Sequence, residues 1–239
     1  MTPDRLSLAL RDEIAAVGVS PTLLQIDRLA AYLGLIARWR SRARLTAIAD
    51  PAEAARLHIA DSLLCLRTTF APGSSVVDVG SGAGLPGVPL AIVRDDLRVT
   101  LLEPDRRKAA FLEGAVAELD LRAAVLAVAA EDAGRGRQRE SFDIAVARAV
   151  APLVVSCELT LPLVRVGGRV VLLKGPSVTV ELGGGRGAAR VLGGADLEVS
   201  EWTLRGGERR LLVVIRKDHP TPPGYPRRVG VPRKRPLNG

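Results

Sequence analysis

Three acidic residues stand where apolar segments of the chain end, and each could bind part of a nucleoside. They are Asp78, Glu103 and Glu131. Asp78 lies in the apolar run VVDV, which is followed by GSGAGLPG, a turn with glycine at positions 80, 82, 84 and 87. Glycine lets a backbone pass very close to a ligand, and a carboxylate accepts hydrogen bonds from hydroxyl, amine and ammonium groups. The pattern predicts a nucleoside site at the ends of strands.

The glycine turn fits two cofactor templates. Read from Gly82, the segment GAGLPG matches the dinucleotide pattern, and Glu103 follows Gly84 by 19 residues. Read from the end of the apolar run, the frame becomes Asp78-x-Gly80-x-Gly82. An acid at Asp78 would repel a pyrophosphate, whereas it suits the ammonium group of a methionine moiety, directly or through water. Glu103 suits ribose hydroxyls in either reading and does not discriminate.

The third acidic segment distinguishes between the two cofactor templates. Ala130, Glu131 and Asp132 follow the apolar run AAVLAV, where free backbone groups and an acid could meet an adenine edge and its exocyclic amine. Three acids at the ends of three successive strands suit a cationic sulfonium nucleoside better than an anionic dinucleotide. The sequence therefore predicts S-adenosylmethionine as cofactor, although each acid could also serve only as a cap or a surface charge.

The segment after the fourth apolar strand, DIAVARAV, bears on the methyl acceptor. It lacks the Asn/Asp-Pro-Pro-aromatic motif of amino-group methylation, Cys157 lies among apolar residues, and the first lysine is Lys108, too late for a ribose-methylating lysine set. A guanine N7 remains, because its lone pair needs no deprotonation before direct displacement. Small-molecule methyltransferases can lack the same motifs, so that alternative stays open. Arg148 could hydrogen-bond cofactor or substrate, with an ion pair to one of the cleft acids as its alternative. Lys174 could meet a phosphate, with a simple surface lysine as its alternative.

The elements that must position these residues alternate from residue 74 onward. Apolar strands and helices follow one another, and LEVSEWTL and RRLLVVIRK form a closing antiparallel hairpin. This order predicts an α/β, Rossmann-like fold with a mostly parallel seven-stranded sheet. Residues 1–72 are predicted as an N-terminal helical region with caps at Ser20-Pro21 and Asp50-Pro51. We expect a methyltransferase domain over 73–217 and a basic, proline-rich tail over 218–239; the glycine-rich ELGGGRGAARVLGG is a frayed helix or a loop.

Charge is concentrated at the end of the chain. The 239 residues carry a net charge of +8, and the last 24 hold seven basic residues and one acid. A basic tail beside a near-neutral domain is typical of a polyanion binder, with a solvated tail as the alternative. Neither a membrane span nor a signal peptide is recognisable, and the two distant cysteines favour buried thiols in a cytoplasmic protein. No metal site or catalytic residue is assigned.

The chain resembles the bacterial 16S rRNA guanine-N7 methyltransferase family, also called glucose-inhibited division protein B. The resemblance runs from about residue 39 to the end, and its most specific stretches are HIADSL and GAGLPGVPLAI. Others are LTAIADPAEAARL, VVDVGS, LLEPDRRKAAFL, AEDA, AVARAVAPL, VLLKG and TPPGYPRRVGVPRKRPL. The family commonly has Trp-Asn and Asn-Leu-Thr where this chain has Trp39-Arg40 and Arg44-Leu45-Thr46, which makes the segment more basic.

The resemblance implies a monomeric cytoplasmic enzyme that methylates N7 of one guanosine in the 530 loop of 16S rRNA. The cofactor contacts predicted from the residues and the resemblance together are Gly80, Gly82, Leu85, Glu103, Ala130, Glu131 and Arg148. Arg227 and Arg228 of the tail, with Lys174, are the predicted RNA contacts, and Tyr225 could stack on a base. His58 and Asp61 match the family's HIxDSL and are interpreted as locking the N-terminal helices.

The substrate form stays open between naked 16S rRNA, the small subunit and an assembly intermediate. Three other functions were weighed: a methyltransferase with another acceptor, a ribosome-assembly protein without turnover, and an NAD-dependent oxidoreductase. The second is disfavoured because the acids at 78, 103 and 131 are intact. The third is disfavoured because only two histidines exist and His219 lies in the tail.

Overall fold

A seven-stranded sheet organises the chain. The computed structural model describes residues 2–237 except for the side chain of Pro3, so Met1 and residues 238–239 of the predicted tail lie outside it. The strands are β1 Ser75–Val79, β2 Arg98–Leu102, β3 Ala123–Leu126, β4 Phe142–Arg148, β5 Val164–Lys174, β6 Gly194–Thr203 and β7 Arg209–Lys217. Their order is β3-β2-β1-β4-β5-β7-β6. β1 to β5 pair in parallel, and β7 is antiparallel to β5 and β6, which confirms the predicted fold class.

Helices cover both faces of this sheet. They are α1 Pro3–Ala16, α2 Leu23–Ala43, α3 Pro51–Ala54, α4 Asp61–Leu63, α5 Gly87–Val93, α6 Arg106–Glu118, α7 Ala130–Arg135, α8 Leu153–Thr160, α9 Leu182–Val191 and α10 Val231–Lys234. The chain order reverses between β1 and β4, and ligands of open parallel sheets bind beyond the strand ends at that point. Within residues 2–237, we find no helix with the length and apolar character that a membrane span requires.

The first predicted helix cap was misplaced by two residues. Thr22, rather than Ser20, caps α2: its hydroxyl accepts from the Gln25 backbone N–H, and the Gln25 side chain accepts from the Thr22 N–H in return. This reciprocal capping box satisfies two backbone donors, which a cap at Ser20 would not do. The second prediction is confirmed, since Asp50 caps α3 and Pro51 is its first residue.

The helical run after Asp50 changes its winding around His58. It is α-helical at α3, π-helical over Ala55–Ala60, α-helical again at α4 and 3-10 over Leu64–Arg67. A π-helical turn inserted in an α-helix re-aims side chains and is frequent at functional sites. In this chain it sits beside the end of β4, as described below.

The sheet divides the hydrophobic core into two clusters. On one face, α1, α2 and the π-helical run contribute Leu10, Leu29 and Ile59 to the same cluster as Val99 of β2 and Leu112 of α6. The other face is covered by α7, α8 and α9. The predicted N-terminal region thus packs directly against the sheet, although the boundary at residue 72 stays a prediction.

The glycine-rich segment after β5 forms helix α9. A Cβ atom at Gly185 would lie 2.3 Å from Cδ2 of Leu153 in α8. The missing side chain therefore allows the two helices to approach closely, and this packing offsets the poor intrinsic helix propensity of glycine. Of the two alternatives predicted for this segment, the helix is the one formed.

Candidate cofactor and substrate site

The glycine turn after β1 requires residues without side chains. Gly80, Gly82 and Gly84 all have left-handed backbone conformations, with φ values of +68°, +58° and +87°, in which other residues are strained. A Cβ atom at Gly84 would also lie 2.6 Å from Cγ2 of Val88. The Tyr32 hydroxyl of α2 donates a hydrogen bond to the Ala83 carbonyl, so the N-terminal helices help to hold the turn.

Asp78 lies beneath the turn and does not open into the cleft. Its side chain is fully buried, and its Oδ2 accepts from the Gly87 N–H at 2.9 Å. Burial raises the pKa of this carboxyl to about 7. Among the described residues its Oδ1 has no hydrogen-bond partner. The predicted direct contact with an ammonium group is therefore not available in this conformation; Asp78 instead fixes the start of α5.

Glu103 ties β2 to the glycine turn. Its Oε2 accepts from the Gly82 N–H at 2.8 Å and its Oε1 accepts from the Asp105 N–H at 2.9 Å. Only 5% of the residue is exposed. Each carboxylate oxygen has two lone pairs, so both can still accept one further hydrogen bond. The acid thus shapes the turn and keeps acceptors at the edge of the cleft.

A cavity of about 230 Å³ lies beyond the ends of β1, β2 and β3. Of the predicted cofactor residues, Gly80, Ala130 and Glu131 line it. Glu103 follows the lining residue Leu102 in the chain and is bound to the Gly82 N–H. Leu85 is a buried residue of the turn. Val229, Gly230 and Arg233 of the tail complete the lining, and the Gly230 N–H donates to Oε1 of Glu131 at 3.0 Å.

Arg148 and the cavity of about 230 Å³ lie on opposite sides of the loop that follows β4. Nη1 of Arg148 donates to the Leu57 carbonyl at 2.7 Å and to Oδ2 of Asp61 at 3.2 Å. Oδ1 of the same Asp61 accepts from Nε of Arg210 at 2.9 Å. One buried carboxylate thus joins the HIADSL segment to β4 and β7. This geometry agrees with the locking role inferred for Asp61, and the ion-pair alternative weighed for Arg148 is present.

A second cavity, of about 520 Å³ and thus larger than the first, lies beside Arg148 at the ends of β4 and β5. Its ionisable lining is His58, Asp61, Arg148, Lys174, Glu181 and Arg210. Ala149, also in the lining, has a left-handed φ of +52°, a costly conformation for alanine that clusters at functional sites. Ala149 and Ala151 line this cavity while Val150 lines the smaller one, so the two cavities share one loop.

Lys174 is committed to internal contacts. Its Nζ donates to the Ala151 carbonyl and, at 2.9 Å, to Oγ of Ser156. Burial lowers the pKa of its ammonium group from the usual value. Lys174 therefore braces the loop between the two cavities, which neither the predicted phosphate contact nor the surface alternative anticipated.

His58 is buried as a neutral imidazole beside the larger cavity. Its Nε2 lies 2.9 Å from Oγ1 of Thr46, and the residue is 4% exposed. Burial, and next the positive charge of Arg148, lower its pKa from 6.5 to about 4. At neutral pH His58 thus carries no charge that would repel Arg148.

The His58 shift predicts a specific loss of stability in acid. The unfolded chain binds the proton with an ordinary pKa, whereas the folded chain binds it only near pH 4, so acid favours unfolding. The free energy of unfolding should fall by about 2 kcal/mol between pH 7 and pH 5 from this residue. Urea unfolding of the wild type and His58→Gln at both pH values measures this. Other titrating groups contribute equally to both proteins. An equal fall in the free energy of unfolding in the two would therefore contradict the lowered pKa of His58.

Both cysteines are buried and unpaired with each other. Burial raises the pKa of the Cys157 thiol to about 12 and that of Cys65 further still. A buried thiol with a raised pKa is a poor nucleophile. Within residues 2–237, no group of three or more His, Cys, Asp and Glu side chains is arranged to hold a metal ion.

The tail packs against the domain. The guanidinium of Arg227 forms an ion pair with Glu158 of α8, which is 1% exposed, and the Arg227 backbone N–H donates to the same carboxylate. Tyr225 is half-buried against the second core cluster. Arg228 is exposed. The proposed RNA contact at Arg227 would therefore have to compete with Glu158, and that at Tyr225 with its packing, whereas Arg228 faces outward.

Sequence reasoning missed the partners that bring distant segments together. Neither Arg210 nor Glu158 was singled out, and the partner of Arg148 was sought among the cleft acids instead of at Asp61. Asp61 precedes Arg148 by 87 positions and Arg227 follows Glu158 by 69. The available signals were an acid inside the apolar helix VSCEL and an acid in HIADSL, since buried acids need partners.

Comparisons with known proteins agree with this arrangement. The family model of GidB, described as rRNA small subunit methyltransferase G, matches residues 25–212. The ribosomal RNA small subunit methyltransferase G of Moorella thermoacetica is 44% identical over 238 residues, 98% of each chain. That of Deinococcus radiodurans is 42% identical over 245 residues, covering 99% of this chain and 96% of the relative.

Solved structures confirm the fold independently. A predicted O-methyltransferase of Agrobacterium tumefaciens, protein Atu636, superposes with a TM-score of 0.55 at 21% identity, over 67% of this chain and 82% of that one. This likeness concerns the Rossmann-like methyltransferase fold alone. The family match and the near full-length relatives settle the classification, and they confirm the resemblance seen in HIADSL and GAGLPGVPLAI. The chain belongs to the GidB family of rRNA small subunit methyltransferase G proteins.

Proposed function

We propose that this protein transfers a methyl group from S-adenosylmethionine to N7 of a guanosine in the 530 loop of 16S rRNA. The observation that carries the proposal is the pair of adjoining cavities. One is lined by Gly80 of the glycine turn and by the buried Glu131, and the other by Arg148, and both border the loop after β4. Family membership supports the same reaction.

The residues present suit this cofactor. Gly80, Gly82 and Gly84 hold the turn in left-handed conformations that side chains would strain, and Glu103 and Glu131 place buried carboxylates at neighbouring strand ends. Proposed contacts are the turn residues Gly80, Gly82 and Leu85, then Glu103 for the ribose, Ala130 and Glu131 for adenine, and Arg148. When bound, S-adenosylmethionine supplies an electrophilic methyl group. The nearby carboxylates favour a cationic ligand over a pyrophosphate.

The residues of the chain would act by positioning. A guanine N7 attacks with a lone pair, so no side chain has to remove a proton first. Within the described residues, the larger cavity presents guanidinium groups of Arg148 and Arg210 as donors, which suit the O6 acceptor of guanine and would leave the N7 lone pair free to attack. His58, the histidine beside the site, is buried with a pKa of about 4 and is hydrogen-bonded to Thr46.

We also propose that the acceptor is the rRNA within the small subunit or an assembly intermediate. The enzyme would act on it as a monomer in the cytoplasm. Exposed basic groups lie on two segments that lead to the cavities. Arg44 at the end of α2 precedes by two residues the Thr46 that contacts His58, and Arg228 of the tail precedes by two residues the Gly230 that lines the smaller cavity. Arginines placed in this way can contact phosphates without reading sequence. Exposed arginines on both segments support RNA over a small molecule as the acceptor.

The test is a transfer reaction with a defined acceptor. The purified protein is incubated with labelled S-adenosylmethionine and with small subunits, or deproteinised 16S rRNA, that lack the modification. The expected product is 7-methylguanosine, located in the 530 loop by mass spectrometry of nuclease fragments. Label in another nucleoside or position, or cofactor binding without any transfer to RNA, would contradict the proposal.

A further inference from the structure

The cavity assigned to the cofactor has a wall built from the C-terminal tail. Val229, Gly230 and Arg233 line it opposite Gly80 and Glu131. The family model matches residues 25–212, so this wall lies outside the part of the chain that the family model describes. None of the predicted cofactor contacts comes from it.

Two hydrogen bonds hold the wall across the mouth of the cavity. The Gly230 N–H donates to Oε1 of Glu131, after β3, at 3.0 Å. Nη2 of Arg233 donates to the carbonyl of Val150, after β4, at 2.9 Å. The segment therefore spans the cavity from the edge proposed for adenine to the loop shared with the larger cavity. Gly230 adopts a φ of +80°, a conformation that suits glycine at this bend.

The approach to this segment is fixed in place by buried contacts. The Arg227 ion pair with Glu158 immediately precedes it. Arg139 donates to the carbonyls of Thr221 and Tyr225 at 2.5 and 2.6 Å. These hydrogen bonds to charged groups, which are the stronger kind, hold the chain next to the segment against the domain and indicate a wall that stays in place.

We propose that residues 229–233 form the outer wall of the S-adenosylmethionine site and cover its nucleoside part. This inference rests on the proposed function. The cavity, at about 230 Å³, is smaller than the roughly 300–1,000 Å³ of pockets for drug-sized ligands, so it holds one part of the cofactor. That part is the nucleoside, because Glu131 and Ala130 bound it. The basic tail thus contacts the cofactor through residues 229–233, and its outward-facing residues remain available to RNA.

The experiment measures the affinity of S-adenosylhomocysteine by isothermal titration calorimetry without RNA. A chain ending at Arg228 keeps the Arg227–Glu158 pair and loses the wall. We expect its Kd to rise at least about tenfold, the equivalent of one lost hydrogen bond and some apolar cover. Arg233→Ala should raise the Kd about threefold. Arg235→Ala is the matched control, since Arg235 is exposed and does not line the cavity.

The outcomes separate this inference from the proposed function. A shortened chain that binds S-adenosylhomocysteine as tightly as the wild type, or more tightly, overturns the wall while leaving the methyltransferase intact. A full-length chain that binds no S-adenosylhomocysteine overturns the proposed function itself. If shortening lowers the melting temperature, the comparison of Arg233→Ala with Arg235→Ala decides, and equal Kd values for these two overturn the wall.

Discussion

Replacing Arg148 with alanine is expected to lower kcat/KM for methyl transfer at least about 100-fold, the usual cost of removing one positioned donor from an active site. Both recorded hydrogen bonds of its side chain leave from Nη1. Among residues 2–237, the N–H groups on Nε and Nη2 therefore remain to meet a ligand in the larger cavity. Steady-state kinetics with undermodified small subunits measures the loss.

The control for Arg148 is its own partner. Asp61→Asn weakens the same ion pair from the other side, and it also weakens the bond from Arg210. We expect Asp61→Asn to lower the melting temperature at least as much as Arg148→Ala and to retain much more activity. Equal losses of activity in the two variants would show that Arg148 acts only by holding the helical run against the sheet.

The second large effect is expected at Glu103. In Glu103→Gln, one carboxylate oxygen becomes an NH₂ group that faces a backbone N–H of Gly82 or Asp105, so one of two hydrogen bonds is replaced by repulsion. The ribose contact proposed for this acid would weaken as well. The bond lost at the turn and the weakened ribose contact are both hydrogen bonds to a charged group. Together they correspond to a rise of at least about 100-fold in the Kd of S-adenosylhomocysteine. Calorimetric titration without RNA gives this value directly.

Asp105→Ala provides the matched control for Glu103. The Asp105 side chain caps α6 by accepting from the N–H groups of Arg107 and Lys108, while its backbone N–H, which any residue provides, serves Glu103. Removing the cap should lower the melting temperature and leave the Kd unchanged. A Kd raised equally in both variants would mean that the local stability of the turn, and not the carboxylate of Glu103, governs cofactor binding.

The sheet and its turn could be predicted because their signals are local. Alternation of apolar strands with helices, and glycines placed directly after VVDV, report backbone requirements that adjacent residues impose. The parallel order then brings Gly80, Glu103 and Glu131 to one edge, since the ends of parallel strands meet there. The position of the Asp78 carboxylate below the turn was missed, because the spacing to Gly87 does not reveal which face of the turn the acid occupies.

The long-range ion pairs could not be predicted from one sequence. Any of the 26 acids could have been the partner of Arg148 or Arg227, and only the folded topology selects Asp61 and Glu158. Composition did not reveal how the tail is held. Its charge predicts a solvated arm or an RNA contact, and the RNA contact stays a prediction, while its backbone N–H and carbonyl groups are bound to the domain at Glu131, Arg139 and Glu140.

The division of the core by the sheet has a consequence for synthesis on the ribosome. Leu10 and Leu29 belong to a cluster that also contains Leu173 of β5 and Leu212 of β7. The apolar faces of α1 and α2 therefore leave the ribosomal exit tunnel long before the surface that covers them exists. Such non-local topology slows folding and exposes nascent chains to aggregation. An rRNA methyltransferase of this topology thus depends, while it is being made, on protection of its own first helices.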